Sequence, residues 1–157
     1  MTTARIAELE AELEELVLPA FSRLDAWRLG NIITATALDA GHRVATDIRT
    51  PAGLVLFRSA LEGTTADQET WIAGKARTVL RLETSSALAA ARFAEGGIDA
   101  AGMGWLPFPE YALAGGSVPV RVAGTGVVAA VTASGLSSDD DHALVVAGLR
   151  ELMRTAG

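Results

Sequence analysis

The sequence predicts an α/β (α+β) sandwich, in which helices flank a central antiparallel sheet. Helical and strand-like segments follow one another in the order helix, helix, hairpin, helix, helix, hairpin, helix. The strands occur in two hairpins and lack the regular strand–helix–strand alternation of a parallel sheet. Helices packed on an antiparallel sheet are therefore the expected architecture. The 157 residues suit one hydrophobic core, and we expect a single domain over 1–157.

The composition is that of a compact soluble protein with an acidic surface. Half of the residues are hydrophobic, a fifth are charged, and the formal net charge is −6. This charge argues against a nucleic-acid-binding surface, which requires clustered cations. The sequence shows no apolar run long enough to span a bilayer, no basic signal-peptide start and no cysteine. We therefore expect a cytoplasmic protein without disulfides, thiolate nucleophiles or cysteine-ligated metals.

The N-terminal segment 1–18 contains an amphipathic helix, which we place over residues 4–18. Its apolar residues recur at spacings of three and four among glutamates, and they are Ile6, Leu9, Leu13 and Leu16. Pro19 ends the helix because proline cannot continue the hydrogen-bond ladder. The stripe is as narrow as a coiled-coil seam but too short for an independent coil, so we expect it to pack on the rest of the domain or on another subunit.

A capped helix and a hairpin follow. Ser22 predicts the N-cap of a helix over 23–40, and Gly41 ends that helix. The segments 42–50 and 54–60 are alternating or apolar, and a Pro-Gly turn joins them. This pattern predicts the first β-hairpin.

Two further helices occupy the middle of the chain. Thr65 and Gln68 have the spacing of a capping box at the start of a helix within 63–83. Ser85 predicts the N-cap of the next helix, which continues to about Glu95, where a Gly-Gly pair ends it.

The next region combines an irregular segment with the second hairpin. Residues 96–117 are rich in glycine and proline, and long segments of this kind are usually functional or interfacial. The strands 117–122 and 127–135 are β-branched, and Gly124 and Gly126 supply the turn between them. The segment "GTGVVA" fits a dinucleotide-binding pattern, but a strand follows it instead of a helix, so a hairpin turn is the better interpretation.

Three acids and a histidine open the last predicted helix, 139–155. Ser137 or Ser138 can be its N-cap, and a carboxylate in the first turn complements the positive end of the helix dipole. Ser138 with Asp141 would form a short capping box. Helix initiation thus accounts for the acids but not for His142, which should be neutral or paired near a helix N-terminus.

Trp71 and Lys75 are four residues apart on one predicted helix, so they share a face. They can stack as a cation–π pair that lines a pocket or a subunit contact. The alternative is a partly buried tryptophan with the lysine stem lying over it. Lys75 is the single lysine of the sequence, beside twelve arginines.

Arg121 alternates with valines on a strand of the second hairpin, so its side chain points away from theirs. It can meet an anionic group or pair with an acid. We expect Asp140 or Asp141 to pair with Arg121 or His142 at the start of the last helix, where the pair would fix the fold or an oligomer contact.

The two histidines do not form a recognisable metal or catalytic site. No pair has zinc-ligand spacing, and neither follows a recognisable nucleophile elbow, so we expect no metal. His42 follows the glycine that ends a helix, where a cation complements the helix dipole.

The sequence resembles the small haem-degrading-domain family, the GlcG/HbpS-like proteins, and in particular its short uncharacterised branch. Matching segments cover most of residues 29–150 in order, and they include "LGNIITATALDAGHRVATDIR", "LVLFRSALEGTTADQETWIAGKARTV", "ETSS", "YALAGGSVPVRVAGTGVVAAVTASGL" and "DDHALVV". The most specific are the "GTTAD…WI..K" and "SGL…DDHALVV" pieces.

The resemblance implies a profilin-like sheet and assembly into dimers or larger closed oligomers. Some relatives bind haem, the family name refers to haem degradation, and one eukaryotic relative is a partner of a tail-anchored-protein delivery complex. The family pattern marks eight positions of this sequence: Trp71, Lys75, Arg77, Ser85, Arg121, Asp140, Asp141 and His142. Around Lys75 the branch is usually more basic than Ala73-Gly74-Lys75 is here.

Three functions are compatible with these observations. The first is a homo-oligomer that binds haem or another small anionic ligand, with haem as the candidate cofactor. Its expected ligand-binding residues are Trp71, Lys75, Arg77, Arg121, Asp140, Asp141 and His142. The second is a non-catalytic oligomeric scaffold or protein-interaction module. The third is a haem-degrading enzyme, which ranks last because two histidines and no cysteine leave few axial ligands.

Overall fold

The computed structural model describes residues 2–156, with side chains for 3–155. These residues form five helices and five strands. The helices are α1 (Thr2–Glu15), α2 (Arg23–Ala40), α3 (Asp67–Leu82), α4 (Ser86–Glu95) and α5 (Ser138–Ala156). The strands are β1 (Val17–Leu18), β2 (Ala45–Arg49), β3 (Val55–Ala60), β4 (Ser117–Val122) and β5 (Gly126–Ser134). None of the described helices is both long and apolar enough to cross a membrane.

The five strands form one sheet in the order β1-β4-β5-β2-β3. The two hairpins, β2–β3 and β4–β5, are antiparallel, and β2 pairs antiparallel with β5 in the centre of the sheet. Only β1 pairs in parallel, along β4. The α+β sandwich expected from the sequence is therefore confirmed.

The strand β1 corrects the prediction of a helix over 4–18. The helix α1 ends at Glu15, and Val17 and Leu18 instead pair with β4. Leu18 precedes Pro19, and the proline ring disfavours helical geometry at the residue before it. The extended segment buries Leu18, and its carbonyl accepts a hydrogen bond from the backbone N–H of Ala123 at 2.9 Å.

The main core lies on the face of the sheet that α2 and α5 cover. Its larger side chains come from both helices and from alternating positions of three strands, and they include Leu29, Ile33, Ile48, Val118, Val120, Val131, Val145 and Leu149. The opposite face of β5 packs on α3, where Ala130 contacts Ala76 and Val79. The sheet thus lies between α2 with α5 on one side and α3 on the other.

The apolar stripe of α1 packs on α4 within the same chain. Leu9 and Leu13 form a buried cluster with Leu88, and Ile6 lies against it. A role of segment 1–18 in oligomerisation stays a prediction.

The helix caps follow the sequence closely. Ser22 caps α2 in a full capping box with Asp25, and Gly41 ends that helix with φ 69°. The hydroxyl of Ser85 accepts the N–H of Leu88 at 3.2 Å.

The capping box expected at the start of α3 forms only in part. The Oε1 atom of Gln68 accepts the N–H of Thr65 at 2.7 Å, but the hydroxyl of Thr65 accepts the N–H of Asp67 instead of that of Gln68. The helix begins at Asp67, so Thr65 lies one residue before the cap position.

Candidate functional site

Lys75 and Asp141 form a buried ion pair between α3 and the first turns of α5. The Nζ atom of Lys75 lies 3.1 Å from Oδ2 of Asp141, and the two side chains are 4% and 2% exposed. Lys75 also donates to the carbonyl oxygen of Ala133 on β5 at 3.2 Å. The pair therefore ties a helix on one face of the sheet to a strand end and to the helix that follows it.

The backbone before α5 fixes the orientation of Asp141. Ser137 is the N-cap, because its hydroxyl accepts the N–H of Asp140 at 3.1 Å. The Oδ1 atom of Asp141 accepts the N–H of Leu136 at 3.0 Å, which leaves Oδ2 for Lys75. The expected capping box of Ser138 with Asp141 is therefore wrong, since Asp141 reaches back to the loop before the helix.

Gly116 makes room for the lysine. Its φ is +132°, which L side chains rarely adopt, and an added Cβ would lie 2.8 Å from Nζ of Lys75. The same Cβ would also lie 2.5 Å from the carbonyl oxygen of Ala133, which accepts from Lys75. The close approach of the backbone just before β4 to the ion pair thus requires glycine.

Burial in the protein interior disfavours the charged form of both Lys75 and Asp141. Burial lowers the pKa of Lys75, although the neighbouring Asp141 carboxylate opposes that shift. Burial also raises the pKa of Asp141, against the attraction of Lys75 and the backbone hydrogen bonds. Both directions lower the cost of a proton transfer from Lys75 to Asp141, because desolvation penalises each charged form.

A pocket of 270 Å³ opens above the pair. Its lining residues come from α3, the loop before β4, the end of β5 and the start of α5, and they are Gln68, Trp71, Lys75, Ala114, Ser134, Gly135, Leu136, Ser138 and Asp141. We call this space the lysine pocket. Trp71 forms one wall and is itself backed by Phe108, whose ring centroid lies 5.4 Å from that of Trp71.

The expected stacking of Lys75 on Trp71 does not form. Lys75 is directed to Asp141, and the cation–π contact found within residues 2–156 joins Arg81 to Tyr111 at 5.1 Å. The alternative of a lysine lying over the tryptophan at the surface is also wrong, because Lys75 is buried at 3% exposure. Both residues nevertheless line the same pocket.

His142 pairs with α1 and not with the lysine pocket. Its Nε2 atom lies 2.8 Å from Oε1 of Glu12, so Nε2 donates to the carboxylate, and its Nδ1 is buried without a partner in the described chain. Arg150 binds Glu15 at 2.8 Å and lies 3.9 Å from Glu12. His142 lines a separate pocket of 470 Å³, whose walls are Arg5, Glu12, Asp139, Asp140, His142, Ala143, Val146 and Arg150.

The expected pairing of Asp140 or Asp141 with Arg121 or His142 is wrong in its partners. Asp141 pairs with Lys75, which is 66 residues away, and the side chain of Asp140 is exposed at the helix start. Arg121 is half-buried on β4 opposite Val17, and its side chain makes no ion pair or hydrogen bond within residues 3–155. An aspartate in the first turns of a helix can meet any cation that the fold brings near, so sequence order did not identify the partner.

Arg77 lies on the surface outside both the lysine pocket and the His142 pocket. It donates to the carbonyl oxygen of Glu110 at 3.1 Å and lines a pocket of 500 Å³ on the outer side of α3. Of the seven expected ligand-binding residues, the structure brings Trp71, Lys75 and Asp141 together in the lysine pocket. The other four lie outside it, and of these Asp140 and His142 share the pocket of 470 Å³.

A second buried charge cluster was missed by the sequence reasoning. Asp47 on β2 is fully buried and accepts hydrogen bonds from Arg49 at 2.7 Å and from Arg58 on β3 at 2.7 Å. Both arginines also contact Glu69 on α3. The signal was Asp47 within an apolar alternation, in register with Arg58 across the hairpin. The cluster attaches α3 to the first hairpin and so helps to position the helix that carries Lys75.

Comparison with known proteins places this fold and site in a family. The family described as "Haem degrading protein HbpS-like" matches residues 21–150. The chain belongs to the HbpS-like family. The chain is 42% identical over 152 residues to a UPF0303 protein of Streptomyces coelicolor, with 97% of this chain and 96% of the relative covered.

Two solved structures have folds similar to that of this chain. The crystal structure of the Ybr137w protein has a TM-score of 0.88 and 29% identity, and the match covers 96% of this chain and 88% of that one. The crystal structure of a PduOC:heme complex has a TM-score of 0.71 and 16% identity, with 83% and 94% covered. At that identity the second likeness supports the fold alone.

The family description raises the question of whether these residues fit haem. A histidine ligand needs a free imidazole nitrogen facing an apolar slot. In His142, Nε2 is bound to Glu12 and Nδ1 is enclosed, while three of the residues around its pocket are the acids Glu12, Asp139 and Asp140. His42 lies in the turn after α2 and lines neither that pocket nor the lysine pocket. The described residues of one chain therefore do not fit histidine-ligated haem, and haem binding and haem degradation stay predictions of the resemblance.

Proposed function

We propose that this HbpS-like protein binds a small molecule carrying an anionic group in the lysine pocket. The observation that carries the proposal is the buried Lys75–Asp141 pair, which lies in the wall of an open pocket instead of inside a closed core. A buried ionisable group that is perturbed by desolvation and by a charge partner, and that borders a cleft, is a candidate for ligand binding.

Charge and polarity favour an anionic group on the ligand. The helix α5 begins at Ser138 in the pocket wall, and its N-terminus carries a partial positive charge. Asp139 and Asp140 of its first turn do not line this pocket. The Oε1 atom of Gln68 is occupied by Thr65, so its amide NH₂ group is left to donate to a ligand. Among the described residues, Asp141 is the only carboxylate in the wall, and Lys75 balances it.

The size of the pocket and its aromatic wall favour a short carbon skeleton. The volume of 270 Å³ is at the small end of ligand sites, and Trp71 supplies an apolar face. A ligand with a few carbons and one carboxylate or phosphate satisfies both features.

Isothermal titration calorimetry with pyruvate and inorganic phosphate as probes tests the proposal. We expect one site per chain for at least one probe, with the affinity reduced about tenfold or more when Trp71→Ala removes the wall. Arg77→Ala is the matched control, since it removes an exposed cation from the same helix outside the pocket. If neither probe binds, or if Arg77→Ala weakens binding as much as Trp71→Ala, the proposal is wrong.

We also propose that the chain forms a homo-oligomer through the exposed side of α2. The outer side of α2 exposes Leu24, Trp27 and Leu38, which are 54%, 57% and 62% exposed and lie on one helical face. Large apolar side chains aligned in this way mark a contact surface. Because the family resemblance implies a homo-oligomer, we propose that a second copy of this chain binds there. Sedimentation velocity of Trp27→Glu against Arg28→Glu tests it. We expect only Trp27→Glu to lower the oligomeric state, and a monomeric wild type would refute it.

A further inference from the structure

We infer that Lys75 is a nucleophile, which forms an imine with a small aldehyde or ketone that also carries an anionic group. The inference rests on the binding proposed for the lysine pocket and adds a covalent step to it. Within the part of the chain that the structure describes, no other residue of the pocket wall carries an amine.

The geometry around Nζ is that of a held and accessible amine. Asp141 and the carbonyl oxygen of Ala133 accept from it at 3.1 and 3.2 Å. An ammonium group has three N–H donors, so one has no partner among residues 3–155. The glycine at position 116 leaves free the space beside Nζ that a Cβ atom would occupy at 2.8 Å. The amine is thus fixed in position and still borders a pocket of 270 Å³.

The presence of a lysine at position 75, instead of an arginine, also favours a reactive role for this residue. The chain uses arginine at every other basic position, twelve in all, and lysine once. Arginine supplies a charge for an ion pair but stays protonated and cannot act as an amine nucleophile, whereas a desolvated lysine can. A buried ion pair adds little net stability compared with apolar residues, so stability alone explains the arrangement poorly.

Asp141 is placed to act as the general acid in imine formation at Lys75. Burial shifts both groups toward their neutral forms, which are a free amine and a carboxylic acid. The hydrogen bond from Leu136 holds Oδ1, so the other oxygen faces Nζ throughout. A nucleophile and a general acid at hydrogen-bond distance form the minimal arrangement for imine formation.

The step balances without any further reagent. Lys75 first passes a proton to Oδ2 of Asp141 across their 3.1 Å contact, which gives a neutral amine and a carboxylic acid. The neutral amine then attacks the carbonyl carbon, the C=O π bond opens, and the new C–N bond gives a carbinolamine. The carboxyl group of Asp141 donates its proton to the carbinolamine oxygen, the C–O bond breaks and one water leaves. The product is a protonated imine on Lys75 beside the Asp141 carboxylate, which neutralises it. The anionic group of the ligand then lies near the start of α5.

Reductive trapping on the full-length protein tests the inference. The probes are pyruvate and succinic semialdehyde, each with sodium cyanoborohydride at neutral pH, and the readout is intact mass followed by peptide mapping. The single lysine leaves the N-terminal amine as the one other primary amine, and it serves as an internal reference for an ordinary solvent-exposed amine. We expect one adduct per chain at Lys75, formed at least about tenfold faster than the adduct at the N-terminus.

Two variants separate the covalent step from folding. Lys75→Arg keeps the positive charge and should carry no adduct in the α3 peptide. Asp141→Asn keeps the shape of the pocket and should slow trapping at Lys75 by about 10²-fold, with circular dichroism checking that both variants are folded. If neither probe labels Lys75 faster than the N-terminal amine, the inference is wrong. Calorimetric binding of pyruvate without trapping would refute the imine and leave the proposed binding function in place, whereas loss of both would refute both.

Discussion

The amine of Lys75 lies 3.1 Å from the carboxylate of Asp141, inside the protein and beside a pocket. The two residues are 66 positions apart in the sequence and come together because α3 and the start of α5 meet over the end of β5. This contact joins stability and the proposed function in one place.

Removing one partner of the pair should be costly. Lys75→Met leaves Asp141 buried without a cation, and Asp141→Asn leaves the ammonium without its carboxylate. Each single variant should lose about 3–5 kcal/mol of unfolding free energy, because an uncompensated buried charge remains.

The double variant Lys75→Met/Asp141→Asn should recover part of that loss, and urea denaturation at pH 7 measures all three variants. Arg77→Met is the control for a change on the exposed side of α3. Single-variant losses below about 1 kcal/mol would contradict a tightly held pair.

Gly116 should tolerate alanine poorly. Gly116→Ala places a methyl group 2.8 Å from Nζ of Lys75 at a φ of +132°, so both contact and backbone strain oppose it. We expect a loss of about 3 kcal/mol. Gly53→Ala is the matched control, since its φ is +90° but no atom lies within 4 Å of the added Cβ. Equal losses in the two variants would show that the space beside the lysine is not restricted.

The contact between Glu15 and Arg150 should depend on pH. Arg150 holds the pKa of the Glu15 carboxyl group below its ordinary value of 4.5 through their hydrogen bonds. A lowered pKa in the folded state means that the contact stabilises the fold above pH 4.5 and that this contribution disappears as the pH falls through the lowered pKa.

Thermal unfolding of Glu15→Gln and wild type should therefore differ slightly at pH 7 and converge in acid. Glu14→Gln removes the same charge from an exposed neighbour, whose side chain has no ion-pair partner within residues 3–155, and should differ little at either pH. A difference for Glu15→Gln that grows on acidification would contradict the assignment.

We predict that neither histidine of a single chain coordinates haem iron. A haem titration followed by the Soret band should give the same weak, unsaturable change for wild type, His42→Ala and His142→Ala, because Glu12 holds the accessible nitrogen of His142. A saturable band at one haem per chain that His142→Ala abolishes would contradict this prediction and support the function implied by the resemblance.

The parts of the fold that the sequence could predict are the ones governed by local rules. Ser22, Gly41 and Ser85 act within one helical turn, so their caps appeared where expected. The early end of α1 was missed because the pairing of β1 depends on β4, which lies about a hundred residues further along the chain.

The same limit applies to the site. Asp141 was expected to pair with a cation, but its partner could be chosen only after α3 was placed over β5. The partner of His142, Glu12, is 130 residues away on a helix whose docking surface the periodicity did not specify. Family resemblance marked Lys75, Asp141 and His142 together, and three-dimensional packing was needed to divide them between two pockets.

The single lysine offers the most direct measurement of ligand binding in the lysine pocket. Protein grown on lysine isotopically labelled at Nζ should give one side-chain nitrogen resonance by NMR, because the sequence contains only Lys75. Binding in the pocket predicts that pyruvate shifts this resonance saturably at one equivalent per chain, and that Trp71→Ala weakens the effect while Arg77→Ala leaves it unchanged. A Lys75 resonance that does not respond to pyruvate at any ratio would contradict the proposed site.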